Sequence, residues 1–242
     1  MTDRGTNIIE GHTVRTYDAD IGHLRSELLA MGGLVIDQVA LSAQAVVLRK
    51  ADLWERVIKR EQDVNRYDTV IEGTVFQLLA KRAPMGVDLR VVLAYHKAAT
   101  DVERCGDEAK KIAKIARKMA AENAPQDEAF NERLKSMSGL ATQILREVLE
   151  ALDDADEQRA VQAAQSDAEI DAAYEQALDE IHSRLITDPT LMASAAEMVT
   201  AIKALERIGD HAKNIGRYVV FIVQGKDVRH VKTSKLDREL GP

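Results

Sequence analysis

A chain of 242 residues with only nine aromatics and four prolines can bury a sizeable core, and its composition favours long helices over sheets. Its formal charge of −7 excludes broad attraction to nucleic acid or to an anionic membrane surface. The single cysteine, Cys105, excludes an internal disulfide framework and suits a reducing cytoplasm.

Residues 1–17 lack hydrophobic periodicity and lack the apolar core of a signal peptide, so the sequence predicts a flexible N-terminus. No apolar run is expected to reach the roughly 20 residues a membrane helix needs. Beyond residue 17 the spacing is helical throughout. Ile21, Leu24, Leu28, Met31 and Val35 form one stripe near the start. Phe130, Leu134, Met137, Ile144 and Val148 form another, and Leu191, Ala195, Met198, Ile202, Leu205, Ala212 and Val219 a third.

Breaks at RKAD, KRAPMG, ENAPQDE, DDAD and ITDPTLM predict six helices near 18–49, 52–82, 86–122, 127–153, 156–187 and 189–224. Asp52 and Asp156 stand as candidate N-caps. Each helix has about 30 residues and so spans about 45 Å. Short connections make neighbours antiparallel. The expected fold is all-α: two tandem, duplicated three-helix bundles, 18–124 and 125–224, followed by a polar tail at 225–242.

A repeated decamer supports the duplication. ERCGDEAKKI begins at Glu103 and ERIGDHAKNI at Glu206, with seven positions identical. It departs at Cys105/Ile208, Glu108/His211 and Lys111/Asn214. On a helix Glu103 projects beside Asp107, and Glu206 beside Asp210, an arrangement in which like charges repel. A cation would offset that repulsion. Gly106 and Gly209 cost about 1 kcal/mol each in mid-helix relative to alanine, which points to a need for space beside the carboxylates.

The second helix of each half offers a partner pair, Glu61 with Asn65 and Asp167 with Asp171. Four oxygen-bearing side chains per half suit magnesium, calcium, manganese or ferric iron rather than structural zinc. The second half has four carboxylates and the first has three, so stronger binding is expected in the second. The helical wheel puts Glu103 and Asp107 at the edge of the core, which predicts surface sites. The plain alternative is solvated charge paired with Lys110 and Lys213 at i+3.

At these residues the chain resembles the PhoU family of phosphate-uptake regulators, over roughly 18–224. ERCGD and ERIGDHAKNI carry the likeness, with KRAPMGVDLR and SDAEID in support. The resemblance implies a cytoplasmic negative regulator of the phosphate-starvation response. Such a protein would join the ATPase subunit of the phosphate ABC transporter to a phosphate-sensing histidine kinase, touching the membrane only through partners. The acidic charge argues against a nucleic-acid ligand, the lack of a phosphate-cradling glycine loop or Ser/His/Asp set argues against catalysis, and a homodimer or higher homo-oligomer is expected.

The family's paired E(D)xxxD motifs hold iron or other cations, with magnesium, manganese, calcium and zinc as the further options here. Carried over, the metal ligands are Asp167, Asp171, Glu206 and Asp210 in one cluster, and Glu61, Asn65, Glu103 and Asp107 in the other. Asn65 departs from the acidic pattern.

Among other residues, His96 and His211 read as structural or surface groups, and Cys105 as a small core residue. Arg104 and Arg207 either orient the carboxylates or cover the surface with their stems. Gly32 and Gly33 suggest close packing or a bend. YVVFIV at 218–223 reads as core. Two other classes compete with the adaptor: a ferritin-like metal oxidase and a structural scaffold. The oxidase design expects Glu-x-x-His, and no histidine here has a glutamate three positions before it.

Overall fold

The computed structural model describes residues 15–228 and 231, and the side chains from Asp18 onward. It is all-helical among those residues: α1 (Arg15–Leu48), α2 (Ala51–Arg82), α3 (Val87–Ala121), α4 (Glu128–Asp154), α5 (Glu157–Gln165), α6 (Asp167–Thr187), a 3-10 turn (Pro189–Ser194) and α7 (Ala195–Gln224). The flexible start expected at 1–17 lies almost wholly outside the described residues.

The expected fifth helix is divided. Its second piece begins at Asp167, after Ser166, so Asp167 stands in the first turn of α6. The sixth begins as a 3-10 turn capped by Asp188, whose carboxylate accepts from the Thr190 amide at 3.1 Å. Of the two expected caps, Asp156 holds, accepting from the Arg159 amide at 3.0 Å. Asp52 instead lies in the first turn of α2, where its charge favours the helix dipole, while Lys50 occupies the cap without a side-chain bond. Asp127 caps α4 through the Phe130 amide.

The predicted stripes form the core. Leu24, Met31, Val35, Leu134, Met137, Val148, Ile202, Leu205 and Val219 are all fully buried. The two halves share that core without interruption, because α3 packs along α7 and α1 along α4. Gly32 meets Leu149 of α4 so closely that an added Cβ would stand 2.5 Å from it, whereas Gly33 faces open space. Arg49, left-handed at φ 52°, closes α1 and donates to the carbonyls of Met119, Ala124 and Pro125, tying that corner to the link between halves.

One expectation needs correction. In composition α1 is apolar and long enough to cross a membrane, with a best-window hydropathy of 1.5, although half of that window is buried inside the protein. The tail is anchored where it begins: Val228 is buried against Val161 and Val220, with Val231 beside them. Gly225, at φ 72°, ends α7 beneath Arg90, which gives that arginine a place at a helix C-terminus.

Candidate metal centre

Helix α2 presents Val57, Glu61, Val64, Ile71, Val75 and Leu78 on its buried stripe. Glu61 therefore occupies a core position and is only 3% exposed. The packing of α2 on α3 brings it to Glu103 and Asp107. One ligand atom from each of the three carboxylates lies within 4.8 Å of the others. Neither oxygen of Glu61 has a hydrogen bond of normal geometry, although the buried Gln38 amide lies close enough to ease its charge. The nearest cation, Lys110, stands 3.7 Å from Glu61 and 3.5 Å from Asp107.

A buried carboxylate with no well-formed hydrogen bond is costly, and the cost appears in its proton affinity. Burial, with Asp107 repelling, raises the Glu61 pKa against the pull of Lys110. Burial raises Glu103 too, helped by Asp107, Asp68 and Glu61. Such a set favours the protonated form, and a nearby positive charge would lower the cost of ionising it.

Asn65 is exposed on α2. Asp68 was missed. It is half-buried, its own pKa is raised by burial and by Glu72, and its field reaches Glu103. It lies seven residues after Glu61, nearly the same helical face, and that spacing was the available signal. Gln38 was missed as well: wholly buried on α1, it donates to the Val57 carbonyl at 3.1 Å.

The second half is arranged differently. Asp167 is 3% exposed, and Lys213 bridges it to Asp210, reaching the latter at 2.6 Å. Burial raises the Asp167 pKa while the Lys213 contact opposes the rise. Burial alone would lower Lys213, but its two carboxylate bonds overcome that and hold it above its usual value. Glu206 pairs with Lys203 at 2.7 Å, and Asp171 is exposed. One oxygen each of Asp167 and Glu206 remains buried without a partner. Among the described residues these four acids do not converge as the three first-half carboxylates do, and Lys213 already bridges two of them, so the greater number of carboxylates does not make it the more open site.

The sites also run deeper than the expected surface position. Glu61 and Asp167 are core residues, Glu103 is half-buried, and only Asp107 among the grouped first-half acids is exposed. The wheel of α3 described its own residues correctly but could not report the depth of the α2 partner.

The glycines differ in kind. A Cβ on Gly209 would stand 2.7 Å from Ile170 and 3.0 Å from Asp167, too close for either. On Gly106 it would meet Gln38 at 3.4 Å and Glu61 at 3.5 Å, which is ordinary contact.

Arg207 reaches Glu108 of α3 at 3.0 Å rather than its own helix's carboxylates. His211 Nδ1 meets Asp101 at 2.8 Å, and Tyr218 donates to the other Asp101 oxygen at 2.7 Å. Cys105 is a buried core residue, as its neighbours implied, and burial drives its thiol pKa well up.

Comparison with known proteins agrees with the repeat. The PhoU domain family model matches residues 28–116 and again 134–219. The phosphate-specific transport system accessory protein PhoU homolog of Pseudomonas aeruginosa is 32% identical, over 95% of this chain and 94% of that protein. The crystal structure of PhoU from Pseudomonas aeruginosa superposes with a TM-score of 0.82 at 32% identity, covering 87% of this chain and all of that one. The phosphate transport system regulatory protein PhoU from Streptococcus pneumoniae gives 0.79 at 28% identity, over 88% and 99%.

Proposed function

The chain belongs to the PhoU family, and from that membership we propose that it is an accessory regulator of a phosphate-specific transport system rather than an enzyme. The observation that carries this reading is the doubled PhoU domain at residues 28–116 and 134–219, in a chain whose likeness to its relatives extends over 95% of its length. We extend it to the finer role. The protein represses the phosphate-starvation response as an adaptor between the transporter's ATPase subunit and a phosphate-sensing histidine kinase. An adaptor acts only through its differential affinity for the states of its partners. Long, packed helices supply the surface of about 1,000 Å² or more that such contacts need.

Metal binding forms part of the proposal. Glu61, Glu103 and Asp107 would hold a cation, because Glu61 has two buried oxygens with no well-formed hydrogen bond and all three residues converge. Asp167, Asp171, Glu206 and Asp210 would hold a second cation after Lys213 withdraws. An oxygen-only set fits hard cations such as magnesium, manganese or ferric iron. When bound, the ion would neutralise the repelling carboxylates and clamp α2 against α3.

The test is deletion in phosphate-rich medium, combined with affinity capture of the ATPase subunit and the kinase. Derepression of phosphate-starvation genes with loss of a detectable complex is expected. Normal repression in the deletion strain would return the scaffold reading to first place.

A further inference from the structure

The two decamers differ at two polar positions, Glu108/His211 and Lys111/Asn214, and both second-half residues line one open depression. In the first half the cluster is self-neutralised. Glu108 is buried, pairs with Lys111 on its own helix and takes Arg207 from α7. The second repeat replaces that acid by an imidazole and that ammonium by an amide. Arg207, Asp210, His211, Lys213, Asn214 and Arg217 line the result, a hollow of about 470 Å³ open to solvent.

The charges around this hollow are unevenly satisfied. Arg207 is held by Glu108, and Lys213 is held by Asp167 and Asp210, the one carboxylate in the lining. Arg217 is not so held. It donates to Asn214 Oδ1 at 3.4 Å and to the Val231 carbonyl at 3.1 Å, and its buried Nε has no acceptor. Among the described residues no carboxylate pairs with it. Burial, the main influence on this guanidinium, lowers its pKa despite Asp167 and Asp210 nearby. A half-buried cation that no described carboxylate contacts directly carries a cost that a bound anion reduces.

His211 completes the set. Its Nδ1–H donates to Asp101, which leaves Nε2 of the neutral ring as a lone-pair acceptor without a partner among the described residues. Asn214 gives its oxygen to Arg217, which leaves its amide nitrogen to donate.

We propose that this hollow on α7 binds a tetrahedral oxyanion of the phosphate class, held by donation from Arg217 and the Asn214 amide, with His211 Nε2 accepting the anion's own P–O–H proton and with Lys213 and Arg207 at its rim. Guanidinium and phosphate match in geometry and form charge-assisted hydrogen bonds. The same chemistry is offered by free inorganic phosphate and by a phosphorylated side chain of a partner protein. The hollow has room for either.

The imidazole resonances of His211 in full-length protein report on the site, titrated at fixed pH and ionic strength with chelator present. Inorganic phosphate and a phosphoserine peptide are the probes. A saturable shift with phosphate assigns the free ion, and one with the peptide alone assigns a phosphorylated protein. Arg217→Gln should weaken binding by about tenfold, the usual scale of one charge-assisted bond.

Asn214→Asp is a near-isosteric control that gives Arg217 a permanent counter-ion. It should weaken binding by at least as much while the protein stays folded. No saturation by either probe up to about 10 mM, or equal affinity in wild type and both variants, overturns the proposal.

Discussion

His211 Nδ1 and Asp101 Oδ1 lie 2.8 Å apart at the seam between the two halves, one on α7 and the other on α3. Both are buried, and Tyr218 completes the carboxylate's coordination from the same α7. The contact joins repeats rather than residues within one repeat, and so bears on whether the halves unfold together. Asp101→Ala leaves the imidazole and the phenol without their acceptor in the core. A loss of about 2–3 kcal/mol is expected, against about 1 kcal/mol for Tyr218→Phe, which removes a single donor. Urea unfolding measures both. A midpoint unchanged in Asp101→Ala would show that water replaces the contact at no cost.

The glycines of the repeated decamer should respond in opposite directions. Alanine is the better helix residue by about 1 kcal/mol, and Gly106→Ala meets only ordinary contacts at 3.4 Å and beyond. It should be neutral or mildly stabilising. Gly209→Ala drives its Cβ to 2.7 Å from Ile170, and a clash of that kind costs about 1–3 kcal/mol. Thermal melts of the two variants decide it. Equal shifts would mean that α6 moves away freely and that the close approach carries no constraint.

Much of this was legible because helix periodicity is a local signal. The stripes from Ile21 to Val35 and from Phe130 to Val148 follow from spacing alone, and all of these side chains are buried. The decamer announced the repeat and both ExxxD pairs. What spacing could not supply was contact across helices. Glu61 was recognised as an acid but not as a core residue, although its place between Val57 and Val64 held that information. Lys213 was expected as an i+3 partner of Asp210, whereas its bridge to Asp167 depends on how α6 meets α7. The division at Ser166 carries no proline or glycine to mark it, and nothing nearby in the sequence announces the 3-10 turn beyond Pro189. The pairing of Asp101 with His211 spans 110 residues and leaves no local trace.

Lys213→Met tests whether the second-half cluster is a cation site held shut. Asp167 is nearly fully buried, and its strongest partner would be gone. Breaking such a pair costs about 3 kcal/mol in metal-free protein. Added manganese or magnesium should restore part of that loss, with a gain that grows with concentration as binding linkage requires. Destabilisation that neither cation relieves would mean that Asp167, Asp171, Glu206 and Asp210 are an ion-pair cluster and nothing more.

Glu61→Gln separates the cost of the first-half site from its use. Folding raises the Glu61 pKa above its ordinary 4.5, chiefly through burial. Between the ordinary and the raised value the folded state therefore binds more protons than the unfolded one, and stability falls as pH rises through that window. Chelator-treated wild type should thus lose stability above about pH 4.5, relative to a variant whose neutral amide carries no such penalty. At neutral pH Glu61→Gln should melt higher than wild type without metal, and the difference should vanish in acid. Added cation should reverse the order. Wild type gains about 2.7 kcal/mol at a hundredfold excess over Kd, while the amide, with no charge to offer beside Glu103 and Asp107, gains far less. Melts at two pH values, with and without manganese, supply all four comparisons. A variant that is no more stable than wild type in chelator at neutral pH would mean that Lys110 already compensates the buried carboxylate, leaving no unmet charge for a metal to satisfy.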